Sequence, residues 1–232
     1  MQIRILKMLE GAREADGLTV VIDVFRAFSV EAYLLAGGAE RVIPVGDAAL
    51  AYRLKEENPD YLLVGERGGR MMEGFDAGNS PSQLKNLDVR GKTVVHTTSA
   101  GTQGIASAVG AERILGGALV NAAATAEYIK RSGASRVSLV AMGLAGISPT
   151  EEDDLCAEYI KSILEGAPLS LDGAEALLKR TSGAKFFDPK NSEVFPEEDF
   201  HMCLRADAFD FAMELTSEEG GLPYMRKVEI KK

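Results

Sequence analysis

The chain contains an approximate internal repeat, and this repeat constrains the fold more than any other feature of the sequence. The run Gly38–Ile43 recurs as Gly110–Leu115, and similar β-branched runs precede and follow each copy. Both copies follow the order strand, helix, strand, helix, strand, which indicates two related halves over residues 19–66 and 93–143. The alternative is that two unrelated segments share the ordinary pattern of an α/β protein. Either explanation predicts an α/β fold with a largely parallel or mixed sheet.

Hydrophobic periodicity assigns secondary structure to most of the chain, which we expect to form one α/β unit over residues 1–232. Short apolar runs predict strands at Ile3–Leu9, Leu18–Ile22, Arg41–Val45, Tyr61–Val64, Thr93–His96, Arg113–Gly116 and Arg136–Ala141. Helical patterns are found at Ala27–Ala36, Asp47–Glu57, Thr102–Val109, Ala122–Arg131, Pro149–Leu164 and Leu171–Lys179. We expect a C-terminal helical extension over 149–232, with a helix at Glu197–Leu215 and an edge strand at Tyr224–Ile230.

Composition and charge restrict the partners that we expect. With 232 residues and a net charge of −9, the chain is long enough for a full core and is unsuited to general binding of nucleic acid. The N-terminus lacks the apolar region of a signal peptide, and the longest weakly polar stretch, 114–126, is too short to span a bilayer. We therefore expect no membrane partner. Two cysteines make no disulfide framework, which favours a reducing cytoplasm, and a homodimer is left open.

The segment Gly65–Pro81 carries more functional information than any other part of the sequence. It contains five glycines, three carboxylates and two arginines. Glycine lets backbone N–H groups approach a ligand, arginine binds phosphate or carboxylate oxygens, and carboxylates hold a hard cation. We therefore expect a site for a phosphorylated ligand that is assisted by a metal ion. The alternative is a mobile surface loop whose charges are solvated.

Two further motifs follow predicted strands. Asp23 and Arg26 come directly after an apolar strand, where a carboxylate suits Mg²⁺ and a guanidinium suits a phosphate oxygen. The alternative for this pair is an ion pair or a helix cap. The segment Thr97–Thr102 opens a helix with four hydroxyl groups and a glycine, and the free N–H groups there favour a phosphate site. Its alternative is ordinary helix capping by Ser99 or Thr98.

A run of four acidic residues lies at the start of another predicted helix. Ser148, Pro149 and Glu151 have the spacing of a helix N-terminus with a capping box. Capping does not require the acids that follow. Glu152 and Asp153 are therefore candidates for metal binding or for general acid/base catalysis.

Histidine and cysteine are scarce in the chain. Only two histidines are present, which argues against a histidine-rich dinuclear metal site. His96 ends a predicted strand and is either a core histidine or a catalytic one. Neither Cys156 nor Cys203 begins the Cys-x₅-Arg signature of thiol phosphatases, so we expect both thiols to be buried in the core.

The candidate residues converge if the predicted sheet is correct. Asp23, Glu66, Thr97 and Met142 all stand at the carboxyl ends of predicted strands. Open α/β sheets bind their ligands outside those ends, where the helices begin. We therefore expect one site at an edge shared by the two halves.

These segments together resemble the 2-phosphosulfolactate phosphatase family over nearly the whole chain. The resemblance rests on Val21–Ala27, on Gly65–Gly69 with Gly74–Pro81, on Thr97–Thr102, on Glu152–Ala157, and on Cys203 and Leu204 with Asp207. It implies a three-layer α/β/α fold. It also implies a Mg²⁺-dependent phosphatase that hydrolyses 2-phosphosulfolactate to sulfolactate and phosphate, a step toward coenzyme M. Family resemblance defines the reaction class better than the substrate.

The resemblance and the motifs give one hypothesis for the site. The expected catalytic residues are Asp23, Arg26, Glu66 and Arg67. The expected Mg²⁺ ligands come from Asp23, Glu66, Asp76, Glu152 and Asp153. The small anionic phosphorylated substrate is expected to contact Arg70, Asn79, Ser80, Thr97, Thr98, Ser99, Gly101 and Thr102.

Several alternatives stay open at this point. Attack by metal-activated water and attack through a phospho-enzyme are both compatible with the residues. The substrate of the phosphatase is either 2-phosphosulfolactate or another small acidic phosphoester. A non-catalytic protein that binds a phosphorylated metabolite would use the same residue types.

Overall fold

Ten strands form the centre of the molecule, and the computed structural model describes residues 1–230. The strands are β1 (Gln2–Lys7), β2 (Gly17–Ile22), β3 (Arg41–Pro44), β4 (Leu62–Arg67), β5 (Arg70–Met71), β6 (Thr93–Thr97), β7 (Ala111–Gly117), β8 (Arg136–Ala141), β9 (Phe211–Thr216) and β10 (Tyr224–Glu229). The α-helices are α1 (Met8–Glu14), α2 (Ala27–Ala36), α3 (Ala48–Glu57), α4 (Gly101–Ser107), α5 (Ala122–Ser132), α6 (Glu151–Leu164), α7 (Ala174–Leu178) and α8 (Glu197–Cys203). Short 3₁₀ turns lie at Gln83–Asn86, Leu119–Asn121, Ala184–Phe187 and Pro189–Asn191.

The strands form one mixed sheet in the order β1-β8-β2-β7-β9-β10-β3-β6-β4-β5. Parallel pairing joins β1, β8, β2 and β7 into one group, and β3, β6 and β4 into another. The antiparallel hairpin of β9 and β10 lies between the two groups and pairs with both. The expected α/β class with a mixed, mostly parallel sheet is confirmed.

The two expected halves exchange strands with each other. The first strand of residues 19–66, β2, lies between β7 and β8, and the first strand of residues 93–143, β6, lies between β3 and β4. Helices α2 and α4 carry the chain from one group to the other, and they contact each other. Corresponding strands therefore occupy corresponding places in the two groups. The duplication itself stays a prediction, which a superposition of the two halves would test.

Helices cover both faces of the sheet. All six residues of β2 are buried, and successive side chains of a strand point to opposite faces. Val21 packs in a cluster with α1, α2 and α4, whereas Val20 and Ile22 pack with α5 and α6. In the other group, Ile43 and Val95 pack against α3. This arrangement has the three layers that the family resemblance implies.

The N-terminal strand is shorter than its apolar pattern predicts. The predicted strand Ile3–Leu9 ends at Lys7, and α1 begins at the next residue. Gly11 and Ala12 of this helix are buried, so small residues allow α1 to pack closely on the protein. Among residues 1–230, no helix combines the length and the apolar character that crossing a membrane requires.

The C-terminal segment differs most from the sequence prediction. The predicted helix Glu197–Leu215 is wrong beyond Cys203, because Phe211–Thr216 forms β9. Tyr224–Glu229 is an inner strand and not an edge strand, since β10 pairs with both β9 and β3. The described part of 149–232 is therefore not purely helical. Pairing with two open strand edges outweighs the helix-favouring composition of this segment.

Candidate active site

A cavity of about 220 Å³ opens at the carboxyl ends of β2, β4 and β8. This is the edge at which open α/β sheets bind ligands. Loops after these strands, the start of α6 and the segment between α7 and α8 contribute to its walls. The residues that line it are Asp23, Phe25, Arg26, Glu66, Gly68, Gly69, Asn79, Ser99, Ala100, Gly143, Leu144, Ala145, Thr150, Glu152, Lys185 and Phe195.

Asp23 is held at the end of β2 by two backbone donors. The N–H of Ala27 donates to Oδ1 over 3.1 Å, and the N–H of Gly101 donates to Oδ2 over 2.9 Å. Burial raises the pKa of Asp23 to about 6, and the negative charges of Glu66 and Glu152 raise it as well, against the two N–H donors that lower it. Asp23 therefore stands in a region already rich in negative charge.

Position 101 requires glycine because α4 begins very close to this carboxylate. A Cβ atom there would lie 2.8 Å from the Cβ of Ala27 and 3.0 Å from Oδ2 of Asp23. Only a residue without a side chain lets the helix start approach so closely. The sequence predicted Gly101 as a phosphate contact, whereas in the structure its N–H is used by Asp23.

Glu66 joins the glycine-rich segment to the loop after β6. Its Oε1 accepts the N–H of Ser99 at 2.7 Å, and its Oε2 accepts the N–H of Gly69 at 2.6 Å. The hydroxyl of Ser99 also donates to Oε2, over 3.1 Å. Glu66 is 6% exposed and faces the cavity. The carboxylate of Glu66 therefore holds the glycine-rich segment against the loop after β6.

Glu152 is a buried carboxylate at the start of α6. Its Oε2 is buried without a hydrogen-bond partner among the described residues. Burial raises the pKa of Glu152, while the positive charge of Lys185 lowers it. A partly uncompensated carboxylate that lines a cavity is a natural contact for a cation.

Asp153 has a different role from its neighbour. Its Oδ1 accepts the N–H of Val24 at 2.7 Å, and its Oδ2 accepts the N–H of Gly143 at 2.8 Å. Burial raises the pKa of Asp153 well above its usual range, and the charges of Glu152 and Asp23 raise it further. Because both oxygens bind backbone groups and the residue does not line the cavity, Asp153 connects the loops after β2 and β8.

Arg26 reaches the cavity from a fully enclosed position. Its Nη1 donates to Oδ2 of Asp199 over 2.7 Å and to the carbonyl of Val194 over 2.8 Å. The guanidinium also lies 4.8 Å from the ring centre of Phe195, and its side chain is only 3% exposed. The second oxygen of Asp199 accepts the hydroxyl of Ser80 at 2.9 Å. Asp199 thus binds Arg26 with one oxygen and Ser80, at the end of the glycine-rich segment, with the other.

The segment Thr97–Thr102 is not the open phosphate cradle that the sequence predicted. Thr98 and Thr102 bond to each other, with the N–H of Thr102 donating to the hydroxyl of Thr98 over 3.2 Å. The N–H groups of Ser99 and Gly101 donate to carboxylates, as described above. The hydroxyl of Thr98 therefore satisfies an N–H of the first helical turn, whereas the N-cap residue of α4 is Ala100. Ser99 both binds Glu66 through its side chain and lines the cavity.

Nine predicted site residues do not line the cavity, and besides Asp153, Ser80, Thr97, Thr98, Gly101 and Thr102 these include three charged residues of the glycine-rich segment. Arg67 donates through Nη1 to the carbonyl of Glu66 over 2.7 Å, and through Nη2 to Oγ1 of Thr97 over 2.8 Å. Asp76 accepts the N–H of Leu63 at 2.8 Å and lies beside Lys55, so it fastens the glycine-rich segment to β4. The third residue is Arg70, which is exposed and lines a neighbouring cavity.

The C-terminal segment supplies site residues that sequence reasoning did not find. Lys185 and Phe195 line the cavity, and Asp199 binds Arg26. Asp199 lies in the acidic first turn of α8, where acids ordinarily reflect the helix dipole. No pattern distinguishes Lys185 from other lysines. The role of Asp199 depends on its contact with Arg26, which lies 173 residues earlier in the chain.

The donor set of the cavity fits a hard divalent cation. Asp23, Glu66 and Glu152 all line it, and Oε2 of Glu152 has no partner within residues 1–230. Within residues 1–230, no group of three or more His, Cys, Asp or Glu side chains is arranged to hold a metal ion by itself. Mg²⁺ keeps several waters and commonly takes one or two carboxylates together with substrate phosphate oxygens. The residues therefore suit a hard divalent cation such as Mg²⁺.

Comparison with known proteins gives a family for this chain. The family model described as 2-phosphosulpholactate phosphatase matches residues 5–218, and the chain belongs to that family. A Bacillus subtilis (strain 168) protein named "Probable 2-phosphosulfolactate phosphatase" is 34% identical over 217 residues, which cover 92% of each chain. A protein of the same name from Caldicellulosiruptor saccharolyticus is 37% identical, over 86% of this chain and 89% of the relative. One from Thermoplasma volcanium is 30% identical, over 90% and 95%.

Proposed function

We propose that this member of the family is a Mg²⁺-dependent phosphatase that hydrolyses 2-phosphosulfolactate to sulfolactate and phosphate. The family match and the names of relatives that align over 92% and 86% of the chain support the reaction. A place on the branch toward coenzyme M is part of the same proposal. So is a cytoplasmic location, in keeping with two free, buried cysteines.

One observation carries the proposal: carboxylates from three separate segments and two cationic side chains line one cavity. Asp23 follows β2, Glu66 is the last but one residue of β4, and Glu152 lies in the first turn of α6, while Arg26 and Lys185 complete the wall. Acidic groups alone would repel a phosphate dianion. Carboxylates that hold a divalent cation beside fixed cations are the arrangement that phosphoryl transfer requires.

The chain's own residues would divide between the metal ion and the substrate. Asp23, Glu66 and Glu152 would hold Mg²⁺, which when bound offsets charge on the phosphate oxygens. Arg26 would contact an oxygen through the guanidinium nitrogens that Asp199 leaves free. A guanidinium held from behind by a buried carboxylate is already oriented, so little conformational entropy is lost when it binds an anion.

Lys185 suits the acidic end of the substrate. 2-Phosphosulfolactate carries a carboxylate and a sulfonate besides its phosphate, so it needs more cationic contacts than a simple phosphoester. Lys185 lies 5.3 Å from the ring centre of Phe195 and 5.9 Å from that of Phe25. These aromatic walls exclude water and strengthen the attraction between the ammonium group and an anion.

A phosphate-release assay tests the proposal against both alternatives. The purified chain is incubated with 2-phosphosulfolactate and with a set of small acidic phosphoesters, each with and without Mg²⁺. We expect Mg²⁺-dependent release from 2-phosphosulfolactate in preference to the others. Comparable release from many phosphoesters would favour a phosphatase with another substrate, and binding without release would indicate a sensor of phosphorylated metabolites. Size-exclusion chromatography of the same sample would decide whether the chain forms a homodimer.

A further inference from the structure

Three polar side chains form a buried hydrogen-bonded series from α2 to the cavity. Oε1 of Glu31 lies 2.8 Å from Nδ1 of His96, and Nε2 of His96 lies 3.2 Å from Oδ1 of Asn79. Glu31 and His96 are fully buried, and Asn79, which is 6% exposed, lines the cavity. The cavity amide is thus held by two side chains that do not line the cavity themselves.

The atoms in this series determine where the hydrogens lie. The side-chain carbonyl of Asn79 can only accept, so its contact with His96 requires a hydrogen on Nε2. Nδ1 then either donates to a Glu31 carboxylate or accepts from a protonated Glu31, and burial raises the pKa of Glu31. Both forms keep the hydrogen on Nε2. In both protonation forms, the NH₂ group of Asn79 points away from His96, and its two N–H bonds are available as donors.

We propose that Glu31 and His96 are positioning residues that hold the Asn79 amide with its NH₂ group toward a phosphate oxygen in the cavity. Asn79 would then be a substrate-binding donor of defined orientation. The inference rests on the proposed function, because it assigns a phosphate to this cavity. The new element is that Glu31 determines the orientation of the Asn79 amide through His96, without touching Asn79 itself.

A purely structural contact between α2 and β6 would not require this polarity. Two titratable side chains lose their hydration in a fully buried place, and Oε2 of Glu31 has no hydrogen-bond partner among the described residues. Hydrophobic side chains of similar volume would join the two elements at a lower cost in free energy. The need to orient the Asn79 amide would explain why Glu31 and His96 are polar although they are buried.

The protonation of His96 can be observed directly in the wild-type protein. The chain has only two histidines, so a ¹H–¹⁵N spectrum of the imidazoles shows two rings, and a His201→Gln variant assigns them. We expect Nε2 of His96 to carry a hydrogen, with or without inorganic phosphate. An unprotonated Nε2 would overturn the proposal, because His96 would then accept from the Asn79 amide and turn its oxygen toward the cavity. This readout does not depend on turnover.

Two amide variants separate the roles of the two ring nitrogens of His96. In His96→Gln, the amide nitrogen replaces Nε2 and still reaches Asn79, whereas in His96→Asn it replaces Nδ1 and reaches only Glu31. We measure the affinity for inorganic phosphate by calorimetry in the presence of Mg²⁺, together with KM and kcat. Asn79→Ala sets the scale, with an expected loss of about 10- to 100-fold for a hydrogen bond to a charged group.

We expect phosphate affinity to be higher in His96→Gln than in His96→Asn. His96→Gln should keep phosphate affinity within about threefold of the wild type, and His96→Asn should lose nearly as much as Asn79→Ala. Equal phosphate affinity in both variants, or a larger loss in His96→Gln, would overturn the proposal. Phosphate binding that follows this order without hydrolysis of 2-phosphosulfolactate would refute the proposed function alone.

Discussion

The backbone N–H of Gly101 donates to Oδ2 of Asp23 over 2.9 Å, so the start of α4 lies against the carboxylate that follows β2. The two residues belong to different halves of the chain, and four strands separate β2 from β6 in the sheet. Helix α4 brings them together because it crosses from β6 to β7, the neighbour of β2. The candidate active site therefore forms where the halves exchange strands.

Replacing Asp23 by Asn should abolish Mg²⁺-dependent turnover while the fold is retained. The side chains are nearly isosteric, but the neutral amide removes a negative charge from the expected ion site and can accept only one of the N–H groups of Ala27 and Gly101, with a loss of about 10²-fold or more in kcat. Steady-state rates over a Mg²⁺ titration measure this, with circular dichroism to verify folding. Wild-type activity at limiting Mg²⁺ would show that Asp23 is structural. The exposed Asp88→Asn serves as the control.

Stability without divalent cations should fall as the pH rises through the range in which the buried acids ionise. The pKa of Asp23 is raised in the folded chain from 3.8 to about 6, so between these values the folded state binds more protons than the unfolded state. The free energy of unfolding contributed by this group is therefore greatest below about pH 4 and is lost as the pH passes about 6. Thermal melts in chelator across pH 4–8 test this. A contribution that increases with pH would contradict the assignment.

Glu152→Gln should stabilise the chain at pH 8 in the absence of metal ions and weaken its response to Mg²⁺. The substitution removes a buried charge whose Oε2 has no partner in the described part of the chain, for a gain of about 1 kcal/mol, or roughly 2–4 °C in Tm. Glu151→Gln, on the exposed side of the same helical turn, is the matched control. If Glu152→Gln lowered Tm as much as it lowered activity, Glu152 would be a packing residue.

Gly69→Ala should reduce activity far more than Gly68→Ala. The φ angle is positive at both glycines, +81° at Gly69 and +59° at Gly68. Alanine at either position should therefore destabilise the fold by about 1–2 kcal/mol through backbone strain. Only at position 69 would the new Cβ lie 2.6 Å from the ring of Phe195, which packs on Arg26. We expect a loss in kcat/KM about tenfold greater for Gly69→Ala. Equal losses in kcat/KM for the two variants would show that the contact between position 69 and Phe195 does not affect catalysis.

Lys185→Gln should raise KM for 2-phosphosulfolactate by about tenfold, because a charged contact to the acidic substrate is lost. The side chain is only partly buried, so we expect little change in Tm. Lys190→Gln, an exposed substitution in the same segment, is the control. If KM for a phosphoester without the sulfonate rose by the same factor, Lys185 would bind the phosphate and not the acidic end.

Arg67→Ala should act mainly on stability. Its guanidinium binds the carbonyls of Glu66 and Gly46 and the hydroxyl of Thr97, so its loss should cost about 2 kcal/mol, or roughly 4–8 °C in Tm. Since Arg67 does not line the cavity, KM should change less than in Lys185→Gln. A loss of orders of magnitude in kcat without a change in Tm would restore the direct phosphate contact that the sequence suggested.

Local patterns in the sequence predicted most of the elements and several of the site residues. Strands such as β2 are recognisable because they are short, apolar and β-branched, and this local property does not depend on the partner strand. Asp23, Glu66 and Glu152 could be selected because each follows or begins such an element, at the edge where ligands bind. The family resemblance, carried by the same motifs, gave the reaction class.

Only the tertiary structure decided which polar groups face the cavity and which serve each other. Arg26 and Arg67 look alike in the sequence, yet Asp199, 173 residues after Arg26, holds Arg26 at the cavity, whereas Arg67 turns to backbone carbonyls. The sequence predicted that the N–H groups after β6 would be free to bind a ligand. In the structure, the N–H of Ser99 donates to Glu66 and that of Gly101 donates to Asp23. The backbone position of each group was predictable from local periodicity. Its hydrogen-bond partner was not, because partners come from segments that only long-range packing brings together.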